Sequence, residues 1–174
     1  MPKTLCGACL CGRVRYEIEG EPRFMYQCFC GKCRAASGAS FVTNIIADAA
    51  RFRITAGQES LSAYESSPQK FRYFCANCGS PIYSHGEKTK HIVAVRCGTL
   101  TQDPGMGVAY HAFVASKAPW TGICDDRPQF AGWSTPCEPR RSSTVRPLKP
   151  GMRTLSTMAP MLNGVGSSQG VACR

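Results

Sequence analysis

Phe71-Arg72-Tyr73-Phe74-Cys75-Ala76-Asn77-Cys78-Gly79 is the stretch on which the fold turns. Its first four residues favour extended backbone, and they run straight into a Cys-x-x-Cys pair. Two residues between the cysteines let both sulfurs face one metal ion across a tight turn. Gly79 then takes the positive φ that frees backbone N–H groups to point at sulfur, and Pro81 stiffens the exit. The stretch reads as a strand ending in a metal knuckle.

Two further clusters share this logic. Cys9-Leu10-Cys11-Gly12 has a shorter bite and also ends in glycine. Each of the two glycine-ended pairs supplies two ligands, so the simplest arrangement joins Cys9, Cys11, Cys75 and Cys78 in one closed four-thiolate site. Zinc is the natural occupant of such a site, and it would add folding energy directly. Cys28-Phe29-Cys30-Gly31-Lys32-Cys33 is different. Three thiolates within six residues cap one face of an ion and leave the other bare. None of His85, His91 and His111 sits at ligand spacing, which favours an open fourth position, the mark of a working zinc. The arithmetic of seven clustered cysteines thus predicts two zincs, one structural and one reactive. The plainer alternative, small buried residues that happen to be cysteines, accounts poorly for two glycine-followed pairs. It suits the singletons Cys6, Cys97, Cys124, Cys137 and Cys173, although Cys6 is near enough to the first cluster to serve as an alternative ligand.

Around these clusters the chain reads as short strands between turn signals: 14–18, 41–46, 52–54, 61–64, 71–74, 91–95 and 110–114. Strands at roughly ten-residue spacing, with no long 3.6-residue period, predict a mostly β domain with little helix. The one expected helix is a turn or two around Cys33-Arg34-Ala35-Ala36, ended by Gly38. Residues 1–133 form this domain. Residues 134–174, rich in Pro, Ser, Gly and Arg, read as an irregular, mobile extension.

The net charge of +10 is unevenly spread. Residues 1–136 hold 15 Lys+Arg against 10 Asp+Glu, and residues 137–174 hold 6 against 1. The basic character mostly describes the extension, whose arginines are not interleaved with aromatics, so nucleic acid is not expected as a partner. No run reaches the length of a membrane span, and the start lacks the apolar stretch of a secretory signal. The default compartment is reducing cytoplasm, where close cysteine pairs bind metal or do redox work. An even count of twelve cysteines raises a disulfide framework. The missing signal, the poor disulfide geometry of Cys-x-Cys and the ample apolar content all argue against it.

A zinc on three thiolates carries about −1 charge. It is a weak Lewis acid and a poor centre for water-driven hydrolysis. It suits a substrate thiol, because zinc accepts soft sulfur and a coordinated thiol is deprotonated. A thiolate held beside an aldehyde is set up for making or breaking a carbon–sulfur bond. Lys32 and Arg34 flank the cluster and could hold carboxylates of such a thiol, although exposed loop charge is the plainer reading of each.

At these residues the chain resembles the glutathione-dependent formaldehyde-activating enzyme family, which also includes centromere protein V. The resemblance rests on Cys9-Leu-Cys11-Gly12-Arg13-Val14-Arg15-Tyr16, on Cys28 to Arg34 with Gly38, and on Tyr73 to Pro81. It continues through Gly98-Thr-Leu100, His111-Ala-Phe113, Ser116 to Trp120 and Asp126 to Phe130. It implies a zinc-containing coiled β-sheet, the β-tent. It also implies Cys9, Cys11, Cys75 and Cys78 as structural ligands and Cys28, Cys30 and Cys33 as catalytic ones. The implied reaction is that of a carbon–sulfur lyase, joining glutathione and formaldehyde as S-(hydroxymethyl)glutathione. Two features depart from the family: Phe29 stands where a histidine is common, and the extension past Trp133 has no counterpart. Trp120, behind Lys117 and Pro119, could wall the pocket or pack in the core, and His111 could relay a proton. The competing reading is a non-catalytic, zinc-stabilised module that binds nucleic acid or protein through its basic tail. It leaves an incomplete second zinc without a purpose. A redox role for Cys75 and Cys78 would call for a βαβ pattern that the sequence lacks.

Overall fold

A computed structural model describes residues 3–133, and the extension 134–174 lies outside them. The described part is mostly β, as the strand pattern predicts. A small antiparallel sheet has the order β1 (Thr4–Ala8), β2 (Arg15–Glu19), β5 (Phe52–Ala56). The large sheet has eight strands. From one edge they are β11 (Gln129–Phe130), β10 (Val108–Ala112), β3 (Phe24–Cys28), β4 (Val42–Asp48), β9 (Ile92–Arg96), β8 (Pro81–Gly86), β7 (Lys70–Cys75) and β6 (Leu61–Ser67). β10 runs parallel to both β3 and β11, and the other neighbours are antiparallel.

Side chains on a strand alternate between faces, and the register aligns that alternation across the large sheet. Met25, Ile45, Ala47, Val93 and Val95 point to one face, where they pack with Leu5, Val14, Tyr16 and Ile18 of the small sheet and its turn. Tyr26, Cys28, Val42, Ile46, Ala94, Tyr110 and Ala112 point to the other and form a second apolar cluster. The central strand β4 is buried on both faces, down to Asn44. It therefore reads as an apolar run rather than an alternation. One face of the large sheet builds the core that closes the domain, and the opposite face is free to build a site.

Gly7 shows how tightly the small sheet packs on this core. A Cβ placed there would meet Tyr16 Cζ at 2.1 Å, and the Tyr16 hydroxyl is bonded to Thr99 Oγ1 at 2.8 Å. Gly7→Ala is expected to lower stability by about 1–3 kcal/mol, the usual cost of overpacking, seen as an earlier urea midpoint. An unchanged midpoint would show that the ring moves without cost.

The single α-helix among the described residues, α1 (Gly31–Ser37), lies where the sequence places it. Gly38 ends it in the left-handed conformation, at φ 64°, and donates its N–H to the Arg34 carbonyl at 2.9 Å. Four strands escape the pattern reading. β1 contains Gly7 and a cysteine, β8 opens with Pro81, β11 is two residues long, and β3 is buried on both faces at Met25 and Tyr26. No helix among the described residues is long and apolar enough to cross a membrane.

Candidate metal centres and the cavity beside them

The fold brings Cys9, Cys11, Cys75 and Cys78 together, with all four sulfurs within 4.8 Å of one another. The first two lie on the turn after β1, the others at the end of β7 and the turn that follows. Cys9 Sγ is 3.5 Å from Cys11 Sγ, which is 3.9 Å from Cys75 Sγ. Four sulfurs at about 2.3 Å from a tetrahedral ion stand ~3.8 Å apart, close to the two separations seen here, so the donor set fits such an ion. Gly12 and Gly79 have φ of 73° and 74°, as the knuckle reading requires. Val14 N–H donates to Cys9 Sγ at 3.3 Å. Ser80 Oγ accepts from Leu10 N–H at 3.0 Å and lies 3.3 Å from Cys78 Sγ, linking the two turns. Bonding to Ser80 pulls the Cys78 thiol down to about 5, whereas burial pushes Cys9 up to about 11. A cation among them resolves this conflict, because it favours every thiolate at once.

Cys28, Cys30 and Cys33 form the second cluster, again with sulfurs within 4.8 Å. Cys28 ends β3, Cys30 caps α1, and Cys33 lies in the first turn of that helix. Cys33 N–H donates to Cys30 Sγ at 3.3 Å, so the cap that starts the helix also aims a sulfur. Hydrogen bonds from Cys28 and Cys30 hold Cys33 well below the usual thiol range, helped by Arg72, whose Nη2 is 3.7 Å from its sulfur. The bonds to Cys30 and Cys33 push Cys28 upward. Among the described residues no histidine, aspartate or glutamate joins the three sulfurs. Both clusters could hold a metal ion, the first closed by its own ligands and the second not.

A cavity of about 310 Å³ opens on the three sulfurs, at the lower end of the size of small-molecule sites. Its apolar wall comes from the second face of the large sheet, with Tyr26, Ile46 and Ala94. Four cations also line it: Lys70, Arg72, Lys88 and Arg96. Sequence reasoning missed them. The signal was present in β9, where Arg96 ends an apolar run, and in β7, where Arg72 falls among aromatics.

The cations named from sequence lie elsewhere. Lys32 Nζ donates to Ser67 Oγ at 2.6 Å and Arg34 Nη2 to the Ser116 carbonyl at 3.3 Å. Neither lines the cavity. His111 is no relay to it either. Tyr110 and Ala112 share the face of Tyr26 and Cys28, so His111 between them points the other way. There it is buried against Phe29, with Nε2 2.8 Å from Asp125 Oδ1. That bond holds the Asp125 carboxyl below its ordinary range. Phe29 packs on Phe41 as well, in the interior rather than in the cavity. Trp120 is 77% exposed and neither walls the cavity nor packs in the core. Trp133 contributes to the wall instead, edge-on to Tyr26.

With the geometry in place, comparison with known proteins identifies the lineage. The sequence model of the glutathione-dependent formaldehyde-activating enzyme family matches residues 4–116, well over half of the 174 residues. The chain belongs to that family. All seven clustered cysteines, and most of the cavity lining, lie inside the matched span. Among solved structures, a crystal structure of a Rhodobacter sphaeroides protein is similar at 25% identity and a TM-score of 0.47, covering 55% of this chain and 86% of that one.

Proposed function

We propose that this family member joins a small thiol to an aldehyde as a zinc-dependent carbon–sulfur lyase working in the synthetic direction, with glutathione and formaldehyde as its substrates. The observation that carries this reading is the three-sulfur cluster, left one ligand short and facing a cavity rather than protein. Cys9, Cys11, Cys75 and Cys78 would hold a structural zinc, and Cys28, Cys30 and Cys33 a second. Zinc at the second site would accept the sulfur of a thiol and favour its thiolate form.

The chain's own residues do the rest. Arg72 neutralises part of the negative charge of the sulfur cluster through Cys33. The apolar wall of Tyr26, Ile46 and Ala94 gives a small aldehyde a surface to rest on beside the sulfurs. The thiol sulfur uses a lone pair to bond the aldehyde carbon, the C=O π pair moves to oxygen, and that oxygen takes up the proton the thiol gave up. Lys70 lines the cavity, and burial, with Arg96 and Arg72 nearby, lowers its pKa. Its Nζ–H is therefore easier to lend than that of an ordinary lysine.

The test is a metal count with a thiol titration. Elemental analysis of the purified protein should return two zincs per chain, and glutathione should bind with measurable heat. One tightly held zinc and no response to thiols would sink the proposal.

A further inference from the structure

Arg96 ends β9 inside the molecule, only 6% exposed. Its register partner on β4 is Asn44, whose own partner on β3 is Tyr26, so the three form one row across the sheet. Asn44 is fully buried and is itself braced, its amide donating to the Val42 carbonyl at 3.4 Å. The Asn44 side-chain carbonyl accepts from Arg96 Nη1. That single bond fixes one edge of a guanidinium that has five N–H donors. Among the described residues no ion pair involves Arg96, Arg72, Lys70 or Lys88, and all four line the same cavity. A buried cation is normally paired, and this one is held by Asn44 at the wall of the cavity.

Three thiolates around a divalent ion leave about −1, and Arg72 at Cys33 answers it. Lys70, Lys88 and Arg96 are cations in excess of that charge, and no carboxylate among the described residues lines the cavity to balance them. Cys28 pairs with Val42, two residues from Asn44 on the same face. The backbone at Arg96 is thus about 7 Å along the strands and two strands, about 10 Å, across from the backbone at Cys28. The guanidinium reaches back over β4 to Asn44 and lines the same cavity as the three sulfurs, so it faces the part of a ligand that lies beyond a sulfur held there.

We propose that Arg96, held by Asn44, is the specificity-determining residue of the cavity and that it reads a carboxylate distant from the thiol. A planar guanidinium fork matches a carboxylate better than a lysine does. The inference rests on the reading above, in which the sulfur of the thiol lies at Cys28, Cys30 and Cys33.

The test compares glutathione with its diethyl ester, which keeps the thiol and blocks both carboxylates. Calorimetry gives the affinity. Cys28, Cys30 and Cys33 themselves give a sulfur-to-metal absorption band in cobalt-substituted protein, so the change in that band on adding thiol reports whether a further sulfur has landed. In the parent protein the ester should bind roughly 10- to 100-fold more weakly, the range of a hydrogen bond to a charged group, while still changing the band when bound. Arg96→Gln should abolish the preference. Asn44→Asp, nearly the same shape, should reduce it by giving Arg96 an internal partner, and it guards against a misfolded Arg96→Gln. Equal affinities in the parent, or a preference that survives both substitutions, would overturn the role of Arg96 and leave the thiol reading standing. No change in the cobalt band with either thiol would bring down both.

Discussion

Cys75→Ser is expected to abolish cooperative folding of the domain. Cys75 is fully buried at the end of β7, its N–H bonded to the Ser80 carbonyl at 3.0 Å and its carbonyl accepting from Gly79 N–H at 2.8 Å. Its sulfur meets that of Cys11, 64 residues away in sequence. The cluster therefore ties the turn between β1 and β2 to the turn between β7 and β8. A structural zinc is worth about 10–16 kcal/mol, whereas a whole domain has only about 5–15 kcal/mol of stability. A neutral serine hydroxyl replaces a thiolate poorly, so even partial loss of the ion exceeds what the domain has in reserve. Thermal unfolding followed by circular dichroism should lose its sharp transition, and a strong chelator should do the same to the parent protein. A variant that melts within a few degrees of the parent would show that the four sulfurs do not hold the fold together.

Cys30→Ser is expected to do the reverse, removing activity and sparing the fold. Cys30 is half-buried and caps α1 by accepting the Cys33 N–H at 3.3 Å. Serine is among the best capping residues, so α1 should keep its start. The three-sulfur set, however, drops to two. Loss of supporting groups around a metal costs about 10–100-fold, and loss of a ligand should cost at least the upper end of that range. The rate of adduct formation, followed by NMR of labelled formaldehyde with glutathione, should fall about 100-fold or more, with the unfolding midpoint nearly unchanged. Parent-like turnover by the variant would move the chemistry away from this cluster and favour the binding-module reading.

These two outcomes differ because the clusters lie in different parts of the fold. Cys9 and Cys75 belong to the apolar cluster between the sheets. Cys28 and Cys33 belong to the cluster on the far face of the large sheet, beside the cavity. The one shapes the core and the other faces a ligand-sized space.

Cysteine spacing made both sulfur clusters legible, since cysteines one or two residues apart are brought together by a local turn. Gly12, Gly38 and Gly79 were legible for the same reason, each occupying the positive φ that its turn demands. The strands with one buried face were readable by their alternation. β3 and the centre of β4 were harder, because burial on both faces erases the alternation that marks a strand. The cations of the cavity were not legible at all. Lys32 and Arg34 adjoin the cluster in sequence, yet they bind neighbouring loops. Arg72 and Arg96 are 39 and 63 residues beyond Cys33 and reach the cavity only through strand pairing. His111 and Trp120 likewise took their places from face and exposure, which the sequence does not state.

By itself, then, the order of residues determined that the chain is mostly β, that seven sulfurs divide into a set of four and a set of three, and that α1 stops at Gly38. Those features depend on contacts within a few residues, where backbone geometry leaves few choices. Only the tertiary structure decided which face of the large sheet carries the cavity, which cations line it, and that Arg96 is buried there beside Asn44. Strand register aligns residues that are far apart in the chain, and a shift of one position would have turned every one of those side chains to the opposite face.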